Sequence, residues 1–81
     1  MEFYDFSEEE LAAFYLKIGT NVKKFRERRG MTQQALALAI NHNSVGHVAK
    51  AELYKYNKHF SLEQIYKIAK ILQISPSTLL H

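Results

Sequence analysis

Cysteine and tryptophan are absent from this 81-residue chain. Without cysteine there can be no disulfide and no thiolate metal site, a composition that suits a reducing cytoplasm. Without tryptophan, the core has to be built from Leu, Ile, Phe and Tyr. Glycine occurs only three times, and never in the cluster that a phosphate-cradling loop requires. No apolar run reaches the roughly 18 residues of a membrane span, and the acidic N-terminus is unlike a signal peptide. The expectation is a cytoplasmic protein without a membrane partner. No Ser/His/Asp arrangement falls at a recognisable motif, and paired carboxylates occur only in the acidic N-terminal tip, so the chain is not expected to be an enzyme. No cofactor is expected. His42, His47, His59 and His81 do not stand at the spacing of a metal site; His42 and His47 lie five apart across a helix start.

Acidic residues are scarce beyond the first ten positions. Glu2, Asp5, Glu8, Glu9 and Glu10 stand there with no base, and the rest of the chain holds all 11 Lys and Arg against three acids. A basic body with an acidic tip suits a polyanionic partner. The length fits one domain near the lower size for an autonomous core, where association with a second chain often helps.

Apolar spacing predicts helices throughout. Met1 to Phe6 interleaves Phe3, Tyr4 and Phe6 with acids. It reads as an arm packing its rings on the domain, or alternatively as a dimer arm or an acidic flap over the basic face. Ser7 with Glu10 reads as a capping box, and Glu8 and Glu9 suit the positive end of the helix dipole. Leu11, Phe14, Tyr15, Ile18, Val22 and Phe25 then form a stripe that could run to Arg29. Gly19 and Thr20 weaken its middle by roughly 1 kcal/mol relative to alanine, so a bend or break is open there. Gly30 closes this helix as a left-handed cap.

From Thr32 to Glu52 the sequence reads as two short helices joined by a tight polar turn. Thr32 can cap the first, and Leu36, Ala37 and Ile40 share one of its faces. Asn41-His42-Asn43 breaks the pattern, Asn41 being able to take the left-handed backbone of a helix end. Ser44 offers a second cap, and Val48 and Ala51 continue the apolar side. Small Ala37 and Ala51 let the two helices cross closely, as a helix-turn-helix unit requires. Ser61 caps a fourth helix with a stripe of Leu62, Ile65, Ile68, Ala69 and Leu72. Ser75-Pro76 opens a last short one with Leu79 and Leu80 turned inward.

Residues 26 to 80 resemble the helix-turn-helix family of phage Cro and repressor proteins, also called XRE-like. The resemblance is carried by Arg26, Gly30-Met31-Thr32-Gln33, Leu36-Ala37, Ile40, Val48 and Glu52, then Ser61-Leu62, Ile68-Ala69, Leu72 and Ser75 to Leu80. It implies an all-α, compact, five-helix lambda-repressor-like domain. Its first core helix would start near Ile18, which divides the chain into an N-terminal arm and helical extension (1–17) and a DNA-binding domain (18–81). It further implies an ion pair between Arg26 and Glu52, tying the first helix to the third, and a phosphate contact by Gln33. Family members often dimerise through the last helices. Here the apolar stripe of the extension outruns what one core needs, and a twin subunit is the first candidate to cover it.

The predicted recognition helix runs from about Val45 to Tyr54. The candidate DNA-binding residues are Thr32 and Gln33 at the first motif helix, Asn43, Ser44, Val45, Gly46, His47 and Lys50 around the second, and Lys55 and Lys58 in the loop beyond. His47 could meet a base edge, Val45 a thymine methyl, and Lys50 a guanine or phosphate. The helix holds no Arg, Gln or Asn, so shape and backbone readout carry more weight. In the loop from Leu53 to Phe60, rings alternate with cations and could grip a sugar-phosphate backbone, or could tuck onto the core and leave the lysines in water. The expected function is sequence-specific transcriptional regulation of phage-repressor, controller or antitoxin type, by a small homodimer on palindromic double-stranded DNA. The alternative is a protein-interaction module that has lost DNA reading. A toxin or a polymerase would be its kind of protein partner.

Overall fold

The computed structural model describes residues 4–41 and 45–81. Among them are five α-helices and no strand: α1 (Glu8–Arg28), α2 (Gln33–Ala39), α3 (Val45–Glu52), α4 (Leu62–Leu72) and α5 (Pro76–Leu80), with a 3-10 turn (Lys55–Asn57) after α3. The fold is the all-α helix-turn-helix arrangement expected.

Each helix is bounded by local chemistry. Ser7 Oγ accepts from the Glu10 N–H at 3.0 Å, with three glutamates in the first turn of α1. At the other end Gly30 turns left-handed (φ 70). Its N–H reaches the Glu27 carbonyl at 2.9 Å, and the Met31 N–H reaches the Arg26 carbonyl at 3.0 Å. These two bonds satisfy carbonyls that the helix end would leave open. Thr32 Oγ1 caps α2 by accepting from the Ala35 N–H at 3.0 Å, and Asn41 (φ 61) ends it. Ser61 and Gln64 form a full reciprocal capping box on α4, whose far end closes at left-handed Gln73 (φ 59). Ser75 Oγ caps α5.

The core draws on every helix: Ile18 and Val22 from α1, Leu36 and Ala37 from α2, Val48 and Ala51 from α3, Ile65, Ile68, Ala69 and Leu72 from α4, and Leu79 from α5, with Phe60 from the loop. α3 packs against both α2 and α1, while α5 packs against α1 and α4. Asn21 is buried in the middle of α1, and its Nδ2 donates to the Leu79 carbonyl at 3.0 Å. One polar side chain thereby ties the last helix to the first.

Several expectations need correction. Gly19 and Thr20 do not break α1, which is one 21-residue helix. The weak propensity is offset because Gly19 is buried where α1 crosses the end of α3. The recognition helix stops at Glu52 rather than Tyr54, since Tyr54 leaves it with φ 50. Leu79 faces the core but Leu80 is exposed; adjacent residues point about 100° apart on a helix, so a single-turn helix cannot bury both. Tyr4 and Phe6 are exposed rather than buried against the domain core. Ile18 is the first fully buried apolar residue of α1, and the ten residues from Glu8 place the arm about 15 Å along the helix from it. Phe3 lies outside the described residues.

Candidate nucleic-acid interface

The two motif helices are locked by a buried polar group at their base. Arg26, on the inner face of α1, sends Nε to Glu52 Oε2 at 2.7 Å and one terminal nitrogen to Glu52 Oε1 at 3.0 Å. Its other terminal nitrogen donates to the Met31 carbonyl at 2.8 Å. Glu52 is 1% exposed and Arg26 6%. A bidentate fork of this kind fixes direction as well as distance. The hydrogen bond that Arg26 donates to Glu52, opposed by burial and aided by the charge of Glu52, holds Arg26 above its ordinary pKa. A base with a raised folded pKa contributes stability at all lower pH and loses it only as pH climbs through that value. Arg26 therefore stays charged throughout the neutral range.

Gln33 joins the same group. Its Nε2 donates to Glu52 Oε1 at 3.0 Å, which anchors the first turn of α2 to the last turn of α3. The amide nitrogen carries a second N–H beyond this bond. Thr32 is exposed but its hydroxyl is occupied by the cap.

On α3, Val45 and Lys50 are exposed, and Gly46, His47 and Ala49 are half-buried. His47 is directed toward the start of α4. Its Nε2 lies 3.2 Å from Gln64 Oε1, and its ring meets Phe60 edge-on at 6.0 Å. Gln64 was not among the residues singled out from the sequence, although Ser61-x-x-Gln64 carries the capping-box signature that could have marked it. Asn43 and Ser44 lie outside the described residues.

The loop after α3 divides its aromatics. Phe60 is buried. Tyr54 stacks on Tyr15 (5.4 Å, 15°), which also stacks on His59 (4.1 Å, 21°), so the loop leans on the N-terminal extension. Tyr56 stays exposed with the Lys50 and Lys55 ammoniums beside its ring. Lys55 and Lys58 are exposed. Lys50, Lys55 and Tyr56 thus share one rim running from α3 into the loop, while the Arg26–Glu52–Gln33 group lies underneath. Among the described residues no group of three His, Cys, Asp or Glu side chains is placed to hold a metal ion, and no helix is long and apolar enough to cross a membrane.

A short helix capped by Thr32 and a second crossing it, with an exposed cationic rim, define a helix-turn-helix protein. A sequence model of the helix-turn-helix family matches residues 22–79. The chain belongs to that family, the Cro/C1-type, XRE-like group of DNA-binding transcription regulators. No curated protein matches it significantly.

Proposed function

We propose that this chain is a small cytoplasmic homodimer that regulates transcription by occupying a palindromic operator in double-stranded DNA. The observation that carries the reading is the rigid seating of α2 against α3 through Arg26, Glu52 and Gln33, with Val45, Lys50, Lys55 and Lys58 left outward. Two copies would set their α3 helices in major grooves about 34 Å apart. Because His47 is held by Gln64, base discrimination falls mainly to Val45, Lys50 and the residues before α3, with shape and backbone contacts supplying the rest. Residues 1–17 act as an added arm and extension on the DNA-binding domain of 18–81. Such a format serves a phage-type repressor, a controller or an antitoxin alike.

A second reading has its own observation. Leu11, Phe14 and Phe6 remain exposed on the extension, an apolar surface that a twin subunit or a protein such as a toxin or polymerase would cover. The two readings separate by salt. Binding of a labelled duplex, followed by anisotropy, should weaken linearly in log–log form as salt rises. Lys50→Ala should flatten that slope by about one counterion and weaken binding across all sequences. A protein-interaction module would ignore both salt and Lys50 and depend on Leu11 and Phe14 instead.

A further inference from the structure

Three of the four residues from Tyr54 to Asn57 hold a left-handed backbone: Tyr54 (φ 50), Tyr56 (φ 55) and Asn57 (φ 60). Asparagine tolerates this conformation, but a tyrosine Cβ crowds the following carbonyl oxygen. For Tyr54 the structure offers compensation, since its half-buried ring stacks on Tyr15. Tyr56 obtains nothing comparable. The residue is 71% exposed, and two cations lie over its ring, Lys50 Nζ at 5.9 Å and Lys55 Nζ at 5.3 Å from the centroid. Strain retained without core packing to offset it is characteristic of functional positions. Lys50 belongs to α3, so the strained ring continues the surface of the recognition helix.

We infer that Tyr56 is a DNA-backbone contact. Its phenol hydroxyl donates to a phosphate oxygen beside the groove that α3 enters, and its ring holds the Lys50 and Lys55 ammoniums next to that same phosphate. The left-handed turn exists to aim the ring outward. The inference rests on the DNA-binding reading above and extends it to a side chain that carries no charge. Tyrosine hydroxyls and lysines both serve as phosphate ligands, and such contacts set register without reading sequence. Cations over an aromatic face are held in place even at an exposed site.

The test compares Tyr56→Phe and Tyr56→Gly with the unaltered protein, by anisotropy on a labelled duplex across a salt series and by thermal melting. Tyr56→Phe keeps the ring and the loop and removes only the hydroxyl. It should bind about tenfold more weakly, the loss of one hydrogen bond to a charged group, at unchanged Tm. Tyr56→Gly should bind at least as weakly and show a flatter salt slope as the two lysines lose their seat. Its Tm should not fall, because relief of the left-handed strain offsets the added freedom of the unfolded chain. A purely structural tyrosine would give the reverse, with Tm moved and affinity kept. Binding of both variants within twofold of the parent would overturn the inference. If the parent binds and Lys50→Ala weakens it while the Tyr56 variants do not, this inference alone falls. If the parent shows no salt-sensitive duplex binding, both readings fall.

Discussion

Glu52→Ala is expected to destabilise the domain by about 3–5 kcal/mol, the cost of stranding a buried charge. For a chain of this size that is a large share of the total, and Tm should drop by roughly 15–30 °C. Glu52 accepts two bonds from Arg26 and one from Gln33. Its removal leaves the Arg26 guanidinium inside the protein without its bidentate partner, hydrogen-bonded to the Met31 carbonyl. Arg26 cannot escape by deprotonating at ordinary pH, since a guanidinium stays protonated even without its partner. The double variant Arg26→Met, Glu52→Leu should recover more than half of the loss, because an apolar pair carries no desolvation cost. Thermal melts of Arg26→Met alone, Glu52→Leu alone and the double variant close the cycle. Additive losses in the double variant would show that the two side chains do not act as a pair. In a recovered double variant, weakened DNA binding would separate the geometric role of the pair from its contribution to stability.

Gly19→Ala should also destabilise the domain strongly, by about 2–4 kcal/mol, although alanine is the better helix former by about 1 kcal/mol. An added Cβ would lie 2.5 Å from the Ala51 carbonyl oxygen and 2.6 Å from that of Glu52. Both obstacles are backbone at the end of α3, so relief requires moving one helix off the other. That motion would pull Glu52 away from Arg26 as well, coupling the two sites. Urea denaturation provides the readout: the midpoint should fall, with Gly19→Val falling further. A midpoint raised by the propensity gain would mean that α1 and α3 do not approach this closely.

The same residue shows where sequence reading reached its limit. Gly19 looked like a weak point in α1 because propensity is a local quantity, whereas its role depends on a carbonyl more than thirty residues away. A lone glycine inside a strong apolar stripe does signal close packing, and that was the available clue. Helix number, the caps at Ser7, Thr32 and Ser61, and the turns at Gly30 and Asn41 were legible because each depends on a few neighbouring side chains. Asn21 was not, since its partner is a carbonyl of the last helix.

The candidate site was legible in a different way. Lys50, Lys55 and Lys58 stand out as charges on any reading. The direction of His47 toward Gln64 could not be read from helical spacing, because the start of α4 reaches α3 only through the fold. Leu80 was misplaced for a simpler reason. Two adjacent leucines in a helix of five residues look alike in sequence, and only one of them can face inward. Tyr56 was visible as one ring among several. Its left-handed backbone was hidden, since neither glycine nor asparagine stands at that position to announce it.

Selection of bound sequences from a random duplex pool at near-physiological salt, with the purified protein, tests the DNA-reading function most directly. A homodimeric regulator should enrich a palindrome whose half-sites lie about one helical turn apart. Recovery of an unenriched pool, with only weak salt-sensitive retention, would contradict sequence-specific regulation and leave the exposed surface of Leu11 and Phe14 as the place where this protein acts.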